Sequence, residues 1–264
     1  MKNGHNNTNL TTDQTLDEKE INTTKESGGN KIFLMDVLSE SWDLYTRHFK
    51  VILIIIICVY VPVNFILNLL PFEAATIEDA VYEFIIYSRI AQILQLLLGT
   101  LATMAIAFYV RDLKEGKNSD FSNIMRSSFK RWPNALWSNL IAGFFLFFLF
   151  ILFIIPGIIY SIYWVFITVS VILDNKSGME ALNYSKSLVQ NKWWQVCKFL
   201  AIFILISAFI GFALSSILFI VPNIFILNII SDTFIDIGLS FITVCMVIYY
   251  LKLINHKKDF ASAK

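Results

Sequence analysis

Charge is sparse in this 264-residue chain: Asp, Glu, Lys and Arg make up 16 % of it, against about 25 % in an average soluble domain. Histidine and cysteine are scarcer still, with three of each. Cys58, Cys197 and Cys245 stand far apart, so neither a disulfide framework nor metal-ligand spacing arises from them. His5, His48 and His256 are equally isolated. The 10 glycines form no phosphate-binding loop, and no serine occupies a nucleophile-elbow sequence. Catalysis requires ionisable or metal-binding groups that converge. The sequence therefore points away from an enzyme, a metal and a cofactor. Basic residues are scattered among short segments instead of forming a compact domain, which points away from nucleic acid as a partner.

Apolar residues, by contrast, make up 56 % of the chain, with 24 Phe and a mean hydropathy of +0.64. About 20 apolar residues rising 1.5 Å each cross a hydrocarbon core of about 30 Å. Charge-free runs cover 51–72, 90–110, 132–173, 199–231 and 237–251. The third is 42 residues long. As one helix it would extend about 63 Å, twice a bilayer core. It predicts two spans folded back at Pro156 and Gly157, because proline lacks a backbone donor and glycine ends helices cheaply. The expected fold class is all-α, a six-span transmembrane bundle. Its spans fall at about 51–70, 90–110, 135–155, 158–173, 199–221 and 233–254, within a membrane domain of 31–255. Residues 1–30 are polar and rich in Asn, Thr, Glu and Lys, and read as a disordered cytoplasmic tail; 256–264 form a second, short one.

The placement of charge orients the bundle. Arg111, Lys114, Lys117, Arg126, Lys130 and Arg131 follow the second span, Lys176, Lys186, Lys192 and Lys198 the fourth, and Lys252, Lys257 and Lys258 the sixth. The first outer segment carries Glu73, Glu78, Asp79 and Glu83 with no base, and the last outer loop carries Asp232 and Asp236. Basic segments remain on the cytoplasmic side. Both termini are thus expected there, in a multi-pass protein of the cytoplasmic membrane.

A rhythm recurs before alternate spans. In 36–50, Leu38, Trp42, Tyr45 and Phe49 make one apolar stripe. In 119–132, Phe121, Met125, Phe129 and Trp132 repeat it, with Ser119 or Asp120 as cap. In 177–194, Ser177 and Glu180 have capping-box spacing, and Leu182, Val189 and Trp193 lie on the apolar side. The chain reads as three modules, each an amphipathic cytoplasmic-side helix followed by a helical hairpin. Trp42, Trp132 and Trp193 are the expected interface anchors, and Lys130, Arg131 and Lys192 the expected contacts to lipid phosphates.

Within PGIIYSIYWVFITVSVILDNKSGMEALNYSKSLVQNKWW, 156–194, the arrangement of Pro156, Gly157, Tyr160, Trp164, Asp174, Gly178, Ala181, Leu182, Ser185 and Leu188 resembles a known one. It is similar to bacterial membrane proteins related to the membrane domain of glycerophosphoryl diester phosphodiesterases and to nearby multi-span families. SESWDLYTRHFK, 39–50, resembles the first amphipathic segment of that family. The resemblance implies a bacterial multi-span fold and no reaction, since the soluble phosphodiesterase barrel of some relatives has no counterpart here.

Polar residues inside the spans suggest transport. Asn64 and Asn68 share a helical side after Pro62, and Gln92 and Gln95 share another near Arg89. Such groups face protein or a water-filled cavity. They line a substrate path or act as interhelical glue, with Arg89 snorkelling outward or pairing with Asp236. No ionisable group falls at the middle of an expected span, which argues against a proton-coupled pump. The acidic outer segment also suits immunity to, or export of, a cationic antimicrobial peptide. The reading the residues favour is a non-enzymatic accessory or scaffolding protein of the bacterial envelope. It would bind membrane lipids and a membrane partner such as an ATP-driven exporter. A transporter or channel component and an immunity or export protein are the alternatives.

Overall fold

A computed structural model describes residues 34–70, 76–117, 120–218 and 225–262. The expected tail 1–30, Glu73 and the Ser119 cap lie outside them. The structure is 91 % helical, and no strand occurs among the described residues. Its elements are α1 (Leu34–Arg47), α2 (Phe49–Asn68), α3 (Ile77–Leu94), a π-helical turn (Gln95–Gly99) and α4 (Thr100–Lys114). Then follow α5 (Phe121–Leu152), α6 (Ile154–Tyr163), α7 (Ile167–Leu173), α8 (Gly178–Val189), α9 (Trp193–Leu218) and α10 (Phe225–Ser262). Six stretches are long and apolar enough to cross a membrane: Phe49–Asn68, Ile77–Lys114, Phe121–Leu152, Ile154–Leu173, Trp193–Leu214 and Phe225–Lys257. The chain is therefore a multi-pass membrane protein.

The packed interior gathers around α4, α7 and the C-terminal half of α10. Tyr249, Tyr250, Phe166, Ile172, Met104 and Ile106 are its largest fully buried side chains, joined by Ile52 and Ile55 of α2. Phe199 of α9 stacks on Tyr249 with ring centroids 4.0 Å apart. The third and fifth spans show most of their surface outward, with only 17 % of each span's most apolar window buried. Their exposed Phe144, Phe147, Phe209 and Phe212 are the surface that lipid tails solvate.

Three sequence expectations need correction. The turn between the third and fourth spans lies at Phe153, whose backbone is extended (φ −152°, ψ 103°), not at Pro156 and Gly157. Pro156 sits in the first turn of α6, where its missing N–H is one that the helix would leave unbonded anyway. Gly157 is there for space: a Cβ would lie 2.8 Å from the Phe150 ring. Secondly, the amphipathic segment before the third span is no separate helix, because α5 runs unbroken from Phe121 through Pro133 to Leu152. Only α1 and α8 stand apart. Thirdly, the last outer loop does not contain Asp232 and Asp236, since both lie within α10.

The fourth span is itself broken, between Tyr163 and Ile167. Ser185 of α8, fully buried, repairs the break: its hydroxyl donates to the Tyr163 carbonyl at 2.7 Å and accepts the Phe166 N–H at 3.3 Å. Similarly, Ser138 of α5 accepts the Gly178 N–H at 2.8 Å, at the positive-φ residue that starts α8. One hydroxyl thus satisfies backbone groups that the bilayer cannot.

Candidate functional site

Glu40 of α1 binds Lys252 of α10 at 2.7 Å and also Lys114 of α4. Burial works against the Glu40 carboxylate, yet the two ammonium groups outweigh it and hold its pKa below the ordinary range. Nearby, Asp174 accepts hydrogen bonds from Tyr250 and, at 3.4 Å, from Tyr184. Burial and that carboxylate push the Tyr184 phenol up to about 12. The packed face of α1 is Val37, Ser41, Leu44 and Tyr45, turned from the expected stripe because the small Ser41 lets α1 approach α10.

The expected lipid contacts mostly turn inward. Arg131 donates to the Ile172 carbonyl and lies 5.4 Å over the Phe108 ring. Lys192 is partly buried and, among the described residues, its ammonium has no hydrogen-bond partner; burial lowers its pKa. Lys130 alone of the three is exposed. Among the anchors, Trp132 donates to Leu97 at 2.7 Å and Trp193 to Ile159 at 3.3 Å. Trp42 is 61 % exposed and meets Phe241 edge-on. The tandem in WW conceals a more exposed anchor, Trp194 at 72 %.

The polar residues of the spans converge elsewhere. A cavity of about 890 Å³ is lined by Tyr60, Asn64 and Leu67 of α2, Tyr87 and Gln92 of α3, and Gln95 and Gly99 of the π turn. Thr100 and Thr103 of α4, Asn139 and Gly143 of α5, Ser161 of α6, Trp164, Thr168 of α7, and Asp232 and Asp236 of α10 also line it, and Val63, Leu96, Leu146, Ile167 and Ile235 are among the side chains that make most of its surface apolar. Five of the six spans contribute. Asn64, Gln92, Gln95 and Asp236, singled out from sequence, meet here. Asn68 lines an adjoining pocket with Tyr87. Arg89 does not meet Asp236: it is exposed and donates to Gln92 at 3.3 Å.

Two rungs join α2 to α10. Asn64 Nδ2 donates to Asp236 Oδ2 at 2.9 Å and to Thr233 Oγ1 at 3.2 Å, while Asn68 Nδ2 donates to Asp232 Oδ2 at 2.9 Å. The four-residue spacing on each helix makes the ladder, since residues four apart share a face. Among the described residues neither aspartate forms an ion pair. Asn139 and Thr168 exchange hydrogen bonds of 3.1 and 3.2 Å on the opposite wall.

The π turn shapes the third side. Such a turn leaves carbonyls without their usual helical partner and is often found at functional sites. Thr100 donates to Leu96 at 2.5 Å, Thr103 to Gly99 at 3.1 Å and Trp132 to Leu97. Gln95, the first residue of the turn, donates to the Tyr60 hydroxyl across the cavity lining at 3.4 Å. Gly143 keeps the facing wall low, because a Cβ there would meet nothing within 4 Å. Asp232 and Thr168 carried no sequence signal as wall residues; their spacing to partners is set only by the fold. No family model matches the chain, and no curated protein or solved structure matches it either.

Proposed function

We propose that the chain is a transporter or channel component that takes a polar solute into the cavity between its spans. The observation that supports this reading is a mainly apolar cavity walled by five spans, into which two helix-borne carboxylates and several amide and hydroxyl groups are set. Polar groups at membrane depth are costly and gather at substrate and ion pathways. The volume suits a small organic solute, since ligand sites span about 300–1,000 Å³. The absence of a reaction centre is part of the same proposal.

The accessory or scaffolding role loses weight because its recognition helices are engaged within the bundle. Glu40 ties α1 to α4 and α10, and Arg131 is turned to a carbonyl. The acidic outer segment, the basis of the peptide-immunity reading, has a local use at Asp79, which closes a capping box with Thr76. The resemblance to phosphodiesterase membrane domains would agree with any of these roles and adds no substrate.

The test is flux in liposomes containing only this protein, read by solute counterflow for a panel of small neutral, anionic and cationic solutes. Saturable exchange of any of them, lost on filling the cavity through Gly143→Leu, is the expected result. An absence of exchange, together with a membrane protein that co-purifies in fixed ratio, would return the chain to an accessory role.

A further inference from the structure

We propose that the cavity binds an organic ammonium ion, with Asp236 and Asp232 as its counter-charges and Tyr60, Tyr87 and Trp164 as its aromatic wall. This deepens the transporter reading and rests on the same cavity. All five side chains line the one space. The two carboxylates stand four residues apart on α10, and among the described residues no Lys or Arg pairs with either. Their amide partners Asn64 and Asn68 fix the carboxylates' direction without cancelling their charge. Two like charges on one helical face within a membrane require compensation from a cation or a proton. A cation that fills the cavity supplies it.

Three features select an organic cation over a bare metal ion. Calcium requires 6–8 closely placed oxygens, and among the described residues no three His, Cys, Asp or Glu side chains form a metal-holding group. A space of about 890 Å³ far exceeds an ion's needs. Aromatic faces attract quaternary ammonium groups within about 6 Å of the ring. Gly143, part of the same lining and with open space in front of it, leaves room for the organic body.

Phenyltrimethylammonium is the probe, because its charge is permanent, and tert-butylbenzene is its uncharged isostere. Binding of both to the full chain in lipid nanodiscs is measured by equilibrium dialysis. The cation is expected to bind saturably, the isostere not to compete, and Asp236→Asn to weaken cation binding about tenfold or more, with D232N/D236N weaker again. A thermal unfolding transition retained by both variants shows that the fold is intact. Should either fail to fold, Gly143→Leu, which meets no atom at its Cβ, must abolish binding by occupying the space. Equal binding to wild type and D232N/D236N, or competition by tert-butylbenzene, overturns the proposal. Flux separates the two readings. Saturable cation binding without any exchange leaves the ligand assignment standing and removes the transporter, whereas exchange of an uncharged or anionic solute without cation binding does the reverse.

Discussion

Near the C-terminal end of α10, Lys252 meets Glu40 at 2.7 Å and Glu40 takes Lys114 as a second cation. Nearer the start of the same helix, Asp232 and Asp236 have, among the described residues, the amides of Asn68 and Asn64 as their hydrogen-bond partners and no cation. One region neutralises its charges within the chain, and the other leaves them as a surplus facing a cavity. A membrane protein that needed only stability would have matched both regions. Unmatched carboxylates held in place by hydrogen bonds instead keep a preference for something that arrives from outside.

Four substitutions sharpen or break that contrast, each read as a shift in thermal or denaturant unfolding of the purified protein in nanodiscs. Ser185→Ala should have the largest effect, a loss of about 2–4 kcal/mol, because it orphans the Tyr163 carbonyl and the Phe166 N–H together. A loss under about 0.5 kcal/mol would mean that water replaces the hydroxyl. Glu40→Gln should cost about 1 kcal/mol, from two partly exposed pairs. The wild-type pH dependence should match it. Glu40 has a folded pKa below its ordinary 4.5, so its contribution is full above that value and vanishes as pH falls through the folded pKa. An acid unfolding profile unchanged by Glu40→Gln would sink this account.

Asp236→Asn should move stability the other way, a gain of up to about 1 kcal/mol, because it removes uncompensated charge and keeps an acceptor for Asn64. A loss of the size expected for Glu40→Gln would show that both regions treat charge alike. The smallest expected shift is a gain of about 0.4–1 kcal/mol for Gly143→Ala, at a helical position open to a Cβ. Destabilisation there would mean that the wall is closed in the membrane.

Charge-free length made the six spans legible, and helical spacing made Asn64 with Asn68 and Gln92 with Gln95 legible as pairs. The same length criterion hid the partners. Asp232 and Asp236 interrupt the apolar run, so they read as a loop, whereas α10 continues through them because α2 offers amide donors across the bundle. That match depends on two helices packing in one register, which local pattern does not encode. Trp132 shows the same limit. Its apolar rhythm was legible, but the partner of its indole N–H, the Leu97 carbonyl within the π turn at 95–99, is set by the packing of two spans. Pro156 misplaced the turn by three residues: a proline's missing donor is tolerated in the first turn of a helix, so it sits inside α6 while the break falls at Phe153.

The unbroken course of α10 from Phe225 to Ser262 also makes it a shared strut. Asp236 and Lys252 ride the same rod, about 24 Å apart at helical rise. α1 is fastened to that rod twice, by the Tyr45 hydroxyl on the Ile237 carbonyl at 2.7 Å, one residue beyond Asp236, and by Glu40 on Lys252. One pair of helices therefore keeps the acidic wall and the ion pair in register.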